Sequence, residues 1–177
     1  MKTRFIGVVL GLLCTIQISG REGETTDSVV SANLSVREVF KQMPKSLMPS
    51  LSENNRLDMI DFIDSNLKAE VDNLLGGKSK MTALTDDSIS VRISNSLTIN
   101  VLLLNPMYPS DSLKQVICVA QTFGTDSTSL STKIEYYTPE WKKLDEKPNF
   151  SSLDNKRIEK LNLQTIVNWM NVILKKD

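Results

Sequence analysis

The stretch Ser88-Ile89-Ser90-Val91-Arg92-Ile93-Ser94-Asn95-Ser96-Leu97-Thr98-Ile99-Asn100-Val101-Leu102-Leu103-Leu104 decides the fold class. Ile89, Val91 and Ile93 alternate with Ser88, Ser90 and Arg92. After the turn residues Ser94-Asn95-Ser96, Leu97, Ile99, Val101 and Leu103 alternate with Thr98 and Asn100. A period of two puts every second side chain on one face of a strand, so the spacing predicts a β-hairpin with one buried face.

Downstream, Asn105 to Asp111 holds two prolines and reads as a loop. Leu113 to Phe123 is apolar at odd and even positions alike near its middle, which predicts a central strand covered on both faces. Gly124-Thr125-Asp126-Ser127 is a turn. Ser131 to Thr138 is a further strand, with Thr132, Ile134 and Tyr136 on one face and Lys133, Glu135 and Tyr137 on the other. Lys147 to Asp154 reads as a loop, and residues 155–176 fit either an amphipathic helix or a short strand, with length favouring the helix.

Upstream the period changes. Ser35-Val36-Arg37-Glu38 has the form of a capping box, and Pro44 stops the helix it opens. A second helix is expected from Ser52 to a stop at Gly76-Gly77, with Ile60, Ile63, Leu67, Val71 and Leu74 as its buried stripe and Asp58, Asp61, Ser65, Lys68 and Asp72 in water. Two helices packed on an antiparallel β-meander, closed by a C-terminal helix or strand, make an α+β fold. Residues 34–177 form one domain, preceded by a polar flexible arm at 21–33.

The first twenty residues read as a signal peptide. A basic Met1-Lys2-Thr3-Arg4 precedes nine apolar residues, Phe5 to Leu13, a run too short to span a membrane. Cleavage after Gly20 gives an exported chain, periplasmic or associated with the outer surface. A lipoprotein acylated at Cys14 is the less favoured route, because the bulky Leu13 precedes the cysteine. Loss of Lys2 and Arg4 leaves 19 basic against 21 acidic side chains in 157 residues, with Cys118 as the one remaining cysteine. A lone cysteine closes no intramolecular disulfide, and in its apolar run Cys118 reads as a small buried hydrophobe.

Composition narrows the chemistry. The full chain balances 21 Lys+Arg against 21 Asp+Glu and has no histidine. A balanced charge gives no field to attract nucleic acid. Without histidine, Ser-His-Asp and Cys-His catalysis and imidazole metal sites are excluded. The motifs that work without histidine fail in turn. Ser65-Asn66-Leu67-Lys68 has the S-x-x-K form, but no K-T-G element accompanies it. Gly77-Lys78-Ser79 lacks the earlier glycine of a P-loop, whose place Asp72 holds. Asp58 and Asp61 lie about 60° apart around a helix and Asp64 about 120° from Asp58, so one helix face offers too few oxygens for calcium. No catalytic residue, metal site or cofactor is assigned.

Candidate ligand-binding residues are Tyr137 and Trp141, as an exposed aromatic platform for a carbohydrate or peptide, and the acidic pair Asp58 and Asp61. Packing of the aromatics against the last segment is the plainer reading. The expected function is a non-catalytic, envelope-associated binding or accessory module for a protein or glycan, using the outer sheet face or the acidic helix face. The alternative is a hydrolase working with carboxylates alone, in the manner of a glycosidase.

Val39-Phe40-Lys41-Gln42-Met43-Pro44, Ser46-Leu47-Met48-Pro49, Leu51 through Phe62 and Gly76-Gly77-Lys78-Ser79 together resemble a domain-of-unknown-function family of small secreted proteins from Bacteroidales bacteria. Met81 through Asp87 and Ile134-Glu135-Tyr136-Tyr137 followed by Trp141 also fit it, so the likeness spans roughly 34–144. The resemblance implies an exported, envelope-associated protein without assigned activity, catalytic residues or ligand. The family pattern continues with further strands after the tryptophan, from which residues 142–177 depart.

Overall fold

Ser35 caps the first helix, its Oγ accepting the amide of Glu38 at 3.2 Å. In the computed structural model, which describes residues 34–110, 113–124 and 130–161, this helix is α1, Val36–Lys41. The signal peptide, the arm 21–33, most of the turn after Gly124 and the tail beyond 161 lie outside the described residues. Glu38 pairs with Lys41 at 3.0 Å, and the chain leaves α1 through Pro44 into a 3-10 turn at Lys45–Leu47.

Ser52 caps α2, Glu53–Asp64, by accepting the amide of Asn55 at 3.1 Å. This helix is twelve residues long and stops well short of Gly76, contrary to the sequence expectation. Asn66 adopts φ 56°, the Asn66 amide donates to Ile63 O at 3.0 Å, and the Leu67 amide donates to Phe62 O at 2.7 Å. That is the paired hydrogen bonding of a Schellman stop, with asparagine in the left-handed position that glycine more often fills. Beyond it Val71 is buried in a strand, whereas Leu67 and Leu74 are exposed. Gly76-Gly77 is therefore a hairpin turn, held by Asn73, whose Oδ1 accepts the amides of Leu75 and Gly77 at 2.9 and 3.1 Å. Gly76 supplies the positive φ of 77° that the turn requires.

Among the described residues, seven strands follow in one antiparallel sheet whose spatial order is the chain order: β1 Glu70–Asp72, β2 Lys78–Leu84, β3 Ser88–Ser94, β4 Leu97–Leu104, β5 Val116–Phe123, β6 Ser131–Tyr137 and β7 Lys143–Leu144. The predicted hairpin is β3–β4, with Val91 opposite Ile99 and Ile89 opposite Val101. β7 is one strand beyond the tryptophan, paired with β6 at Tyr136 and Tyr137.

The sheet has a core on each face. The first gathers Ile89, Val91, Ile99, Ile117 and Val119 under Val36, Phe40, Met59 and Ile60 of the two helices. The second gathers Leu102, Leu104, Val116 and Cys118 with Tyr136, Phe150 and Ile158. β5 contributes to both, as its two-sided apolar pattern requires. Alternation made β4 a half-buried strand, but its end from Val101 to Leu104 is buried on both faces.

Residues 152–161 form a helix, α3, which carries Ile158 into the second core. It begins earlier than the expected loop through Asp154 allows, because Ser151 caps it by accepting the Asp154 amide at 3.1 Å. Arg157 fastens α3 to Asp87 at the β2–β3 turn, 2.9 Å away. Among the described residues no helix is long and apolar enough to cross a membrane. The architecture is α+β, an antiparallel sheet with helices.

Candidate functional site

β6 presents Lys133, Glu135 and Tyr137 on the face that carries α1 and α2, since side chains two apart share a side. Tyr137 lies opposite Ile117 of β5 and is only 6% exposed, so it is packed and does not form the outward platform considered as a candidate from sequence. Its neighbour Tyr136 points the other way and is buried as well, its ring 5.7 Å from that of Phe150. A strand with a core on each face leaves neither tyrosine in water.

After Tyr137 the chain reverses. The Thr138 amide donates to Lys142 O at 2.8 Å, and the Trp141 amide donates to Thr138 O at 2.9 Å. Trp141 takes φ 62° to close this turn, a left-handed conformation that costs a bulky side chain on the order of 1–3 kcal/mol. Its ring packs against Tyr137 with centroids 5.6 Å apart and planes tilted by 54°. The indole edge is partly exposed while its Nε1 is buried without a hydrogen-bond partner among the described residues.

Glu135 organises the polar side of this cluster. Its carboxylate takes Lys143 Nζ at 2.6 Å, Lys133 Nζ at 3.0 Å and the Tyr137 hydroxyl at 3.2 Å. The bond from Lys143, joined by Lys133, holds the Glu135 carboxyl below its ordinary range. Burial, aided by the adjacent Glu135 charge, pushes the Tyr137 phenol up to about 12. The Lys133-x-Glu135-x-Tyr137 alternation was readable in the sequence; that Lys143 closes the set depended on β7.

Asp58 and Asp61 are exposed on α2, which packs over β1 and β2. β6 lies four strand spacings from β2, roughly 19 Å at the usual separation. The structure therefore does not bring the acidic pair together with Tyr137 and Trp141. Among the described residues the carboxyl groups of Glu70, Glu135 and Glu140 are shifted, and each is lowered by hydrogen bonding.

Arg56 was not singled out from sequence, yet it is 5% exposed and donates from Nη1 to Phe40 O at 3.4 Å and to Met43 O. It places a cation at the carbonyl end of α1, where the helix dipole favours one. Burial lowers its pKa, and the charge of Glu53 opposes that shift. The available signal was position: Arg56 falls three and four residues before Met59 and Ile60, inside the apolar stripe. Cys118 is a buried free thiol, raised to about 12 by burial. It is inert by the same physics that makes it a good core residue.

A domain of an uncharacterized protein from Porphyromonas gingivalis W83 is similar in structure, with a TM-score of 0.50 at 23% identity. The likeness covers 64% of this chain and 57% of that one, so the chain spans little more than half of that neighbour's length. No curated protein matches the chain. The match that assigns the sequence is to a family model over residues 28–169, which takes in α1, the whole sheet and α3: the chain belongs to the family described as "Protein of unknown function (DUF3256)".

Proposed function

We propose that the chain is an exported, envelope-associated binding or accessory module, without catalysis of its own, that contacts a glycan or a protein. Export rests on the basic and apolar pattern of residues 1–20. A secreted Bacteroidales protein is what the sequence resemblance implies.

The observation that carries the non-catalytic half is the state of the carboxyls. A glycosidase needs one carboxyl raised enough to stay protonated near neutrality, beside a second at roughly 5 to 9.5 Å. Among the described residues the shifted carboxyls, Glu70, Glu135 and Glu140, are all lowered, and Glu135 is surrounded by two lysines and a tyrosine. Such a group stays ionised and is unsuited to protonating a leaving group.

The test is thermal unfolding of the purified chain against a panel of glycans and envelope proteins, with reducing-sugar release followed in parallel. Stabilisation without sugar release supports the module; a ligand at 100 times its Kd adds about 2.7 kcal/mol, a shift of several degrees. Release of sugar, or no stabilisation across the panel, overturns it. Amino-terminal sequencing of the exported chain tests cleavage after Gly20.

A further inference from the structure

The second face of the sheet changes character along its width. Over β4, β5 and β6 it is apolar and carries α3; over β2 and β3 it is polar and basic. Met81, Val91 and Ile99 point into the first core, so their neighbours Lys80, Arg92 and Thr98 point to the second face. The register puts Lys80 directly opposite Arg92, and Arg92 directly opposite Thr98. Both cations are exposed.

Neither cation has an ion-pair partner among the described residues. Glu70 stands opposite Lys80, but its carboxylate is taken by Lys68 at 2.7 Å. Asp72 is taken by Lys78 at 3.1 Å. Like charges directly opposite across an antiparallel pair are destabilising. Glu70 is lowered chiefly by its hydrogen bond from Lys68, with the charge of Lys80 adding to the shift, while Arg92 has only Lys80 and Thr98 opposite it; an anionic group seated between the two cations turns their repulsion into attraction. Hydroxyls surround the pair: Thr82 Oγ1 donates to Ser90 O at 3.2 Å and to Ser90 Oγ at 3.1 Å, and Thr98 completes the row. The exposed side of α2 carries Glu53, Asp58 and Asp61, apart from the Lys80 and Arg92 pair.

We propose that this face binds an anionic polysaccharide, with a carboxylate or sulfate held between Lys80 and Arg92 and ring hydroxyls meeting Thr82, Ser90 and Thr98. The inference rests on the binding-module reading and names its surface and ligand class. Two unpaired cations are far fewer than the six to ten phosphate contacts that give tight nucleic-acid binding. The apolar neighbour on this patch, Ala83 opposite Ser90, offers a single methyl, too little to enter a lipid surface. A polymer suits a weak exposed site because repeated anionic units raise the effective concentration at it.

The experiment titrates the full chain with polygalacturonate and with dextran sulfate, using uncharged dextran as the control and phosphatidylglycerol vesicles as a separate arm. Expected is binding to a polyanion and not to dextran, weakening as salt rises. The Lys80→Ser, Arg92→Ser double variant loses at least tenfold in affinity, while Lys45→Ser on the exposed 3-10 turn loses none. Thermal unfolding of the double variant stays level or rises, because the substitutions remove a repulsion. Binding to neither polyanion, an unaffected double variant, or binding to the vesicles alone overturns the proposal. If neutral glycans or an envelope protein bind with the double variant unimpaired, this proposal falls and the module reading stands. If nothing binds, both fall.

Discussion

The Tyr137 hydroxyl donates to Glu135 Oε2, two residues back on the same face of β6, at 3.2 Å. Burial favours the neutral phenol, and the Glu135 charge and this bond favour it further, so Tyr137 is raised from 10.0 to about 12. Burial raises Tyr136 to about 12 and Cys118 from 9.0 to about 12. A folded pKa above the unfolded one gives stability that is complete below the unfolded value and is lost as pH climbs through the folded value. Stability should therefore hold to about pH 9 and fall steeply by pH 12. Urea midpoints measured across that range check this. Tyr137→Phe should flatten the decline above pH 10, and a wild-type midpoint independent of pH up to 12 contradicts the assignment.

Trp141 combines a left-handed backbone with a buried indole N–H that has no partner among the described residues. An unsatisfied buried donor costs about 1–3 kcal/mol, whereas the ring contact with Tyr137 is favourable. Trp141→Phe keeps a ring and removes the donor, so its stability should match or exceed the wild type's by up to about 1 kcal/mol. Trp141→Ala should lose about 2 kcal/mol or more, since it removes the packing and keeps the strained backbone. Denaturant titration of the two variants gives the comparison, and equal losses would show that the N–H has an unrecognised partner.

Elements governed by local alternation were legible in the sequence. β3, β4 and β6 stand where period-two patterns put them, β5 lies within the run read as apolar on both faces, and Ser35 and Ser52 cap their helices. What could not be read depended on contacts distant in the chain. Val71 continues the helical spacing from Ile63 and Leu67, yet its partner is Ser79 of β2. Tyr137 looked outward because one side of an isolated strand usually does; in the fold it joins the first core, opposite Ile117 and against the ring of Trp141. Lys80 and Arg92 become a pair only through the β2–β3 register.

Arg56 tests how α1 is held. Its guanidinium donates to the carbonyls of Phe40 and Met43 from a buried position. Arg56→Ala leaves acceptors at the end of α1 without their donor and opens space in the core, at an expected cost of about 2–4 kcal/mol. Arg56→Lys restores the charge but not the planar fork, and should recover only part of that loss. Hydrogen exchange of the α1 amides, with the β5 amides as reference, distinguishes local release of the helix from a uniform loss of stability. Equal loss of protection in both would place the role of Arg56 outside α1.

Asn66 decides where α2 stops and the sheet begins. At φ 56° it lets the Leu67 amide reach Phe62 O, and the chain then turns into β1, four residues on. Glycine accepts this conformation without a Cβ penalty, while a β-branched residue meets one of roughly 1–2 kcal/mol. Asn66→Gly should therefore be neutral or slightly stabilising, and Asn66→Val should destabilise by about 1–2 kcal/mol. If the local periodicity from Ile60 to Leu74 were dominant instead, valine would extend the helix and leave stability unchanged. Circular dichroism alongside urea unfolding separates these outcomes: higher helicity with undiminished stability for Asn66→Val would mean that the Schellman stop is not what ends α2.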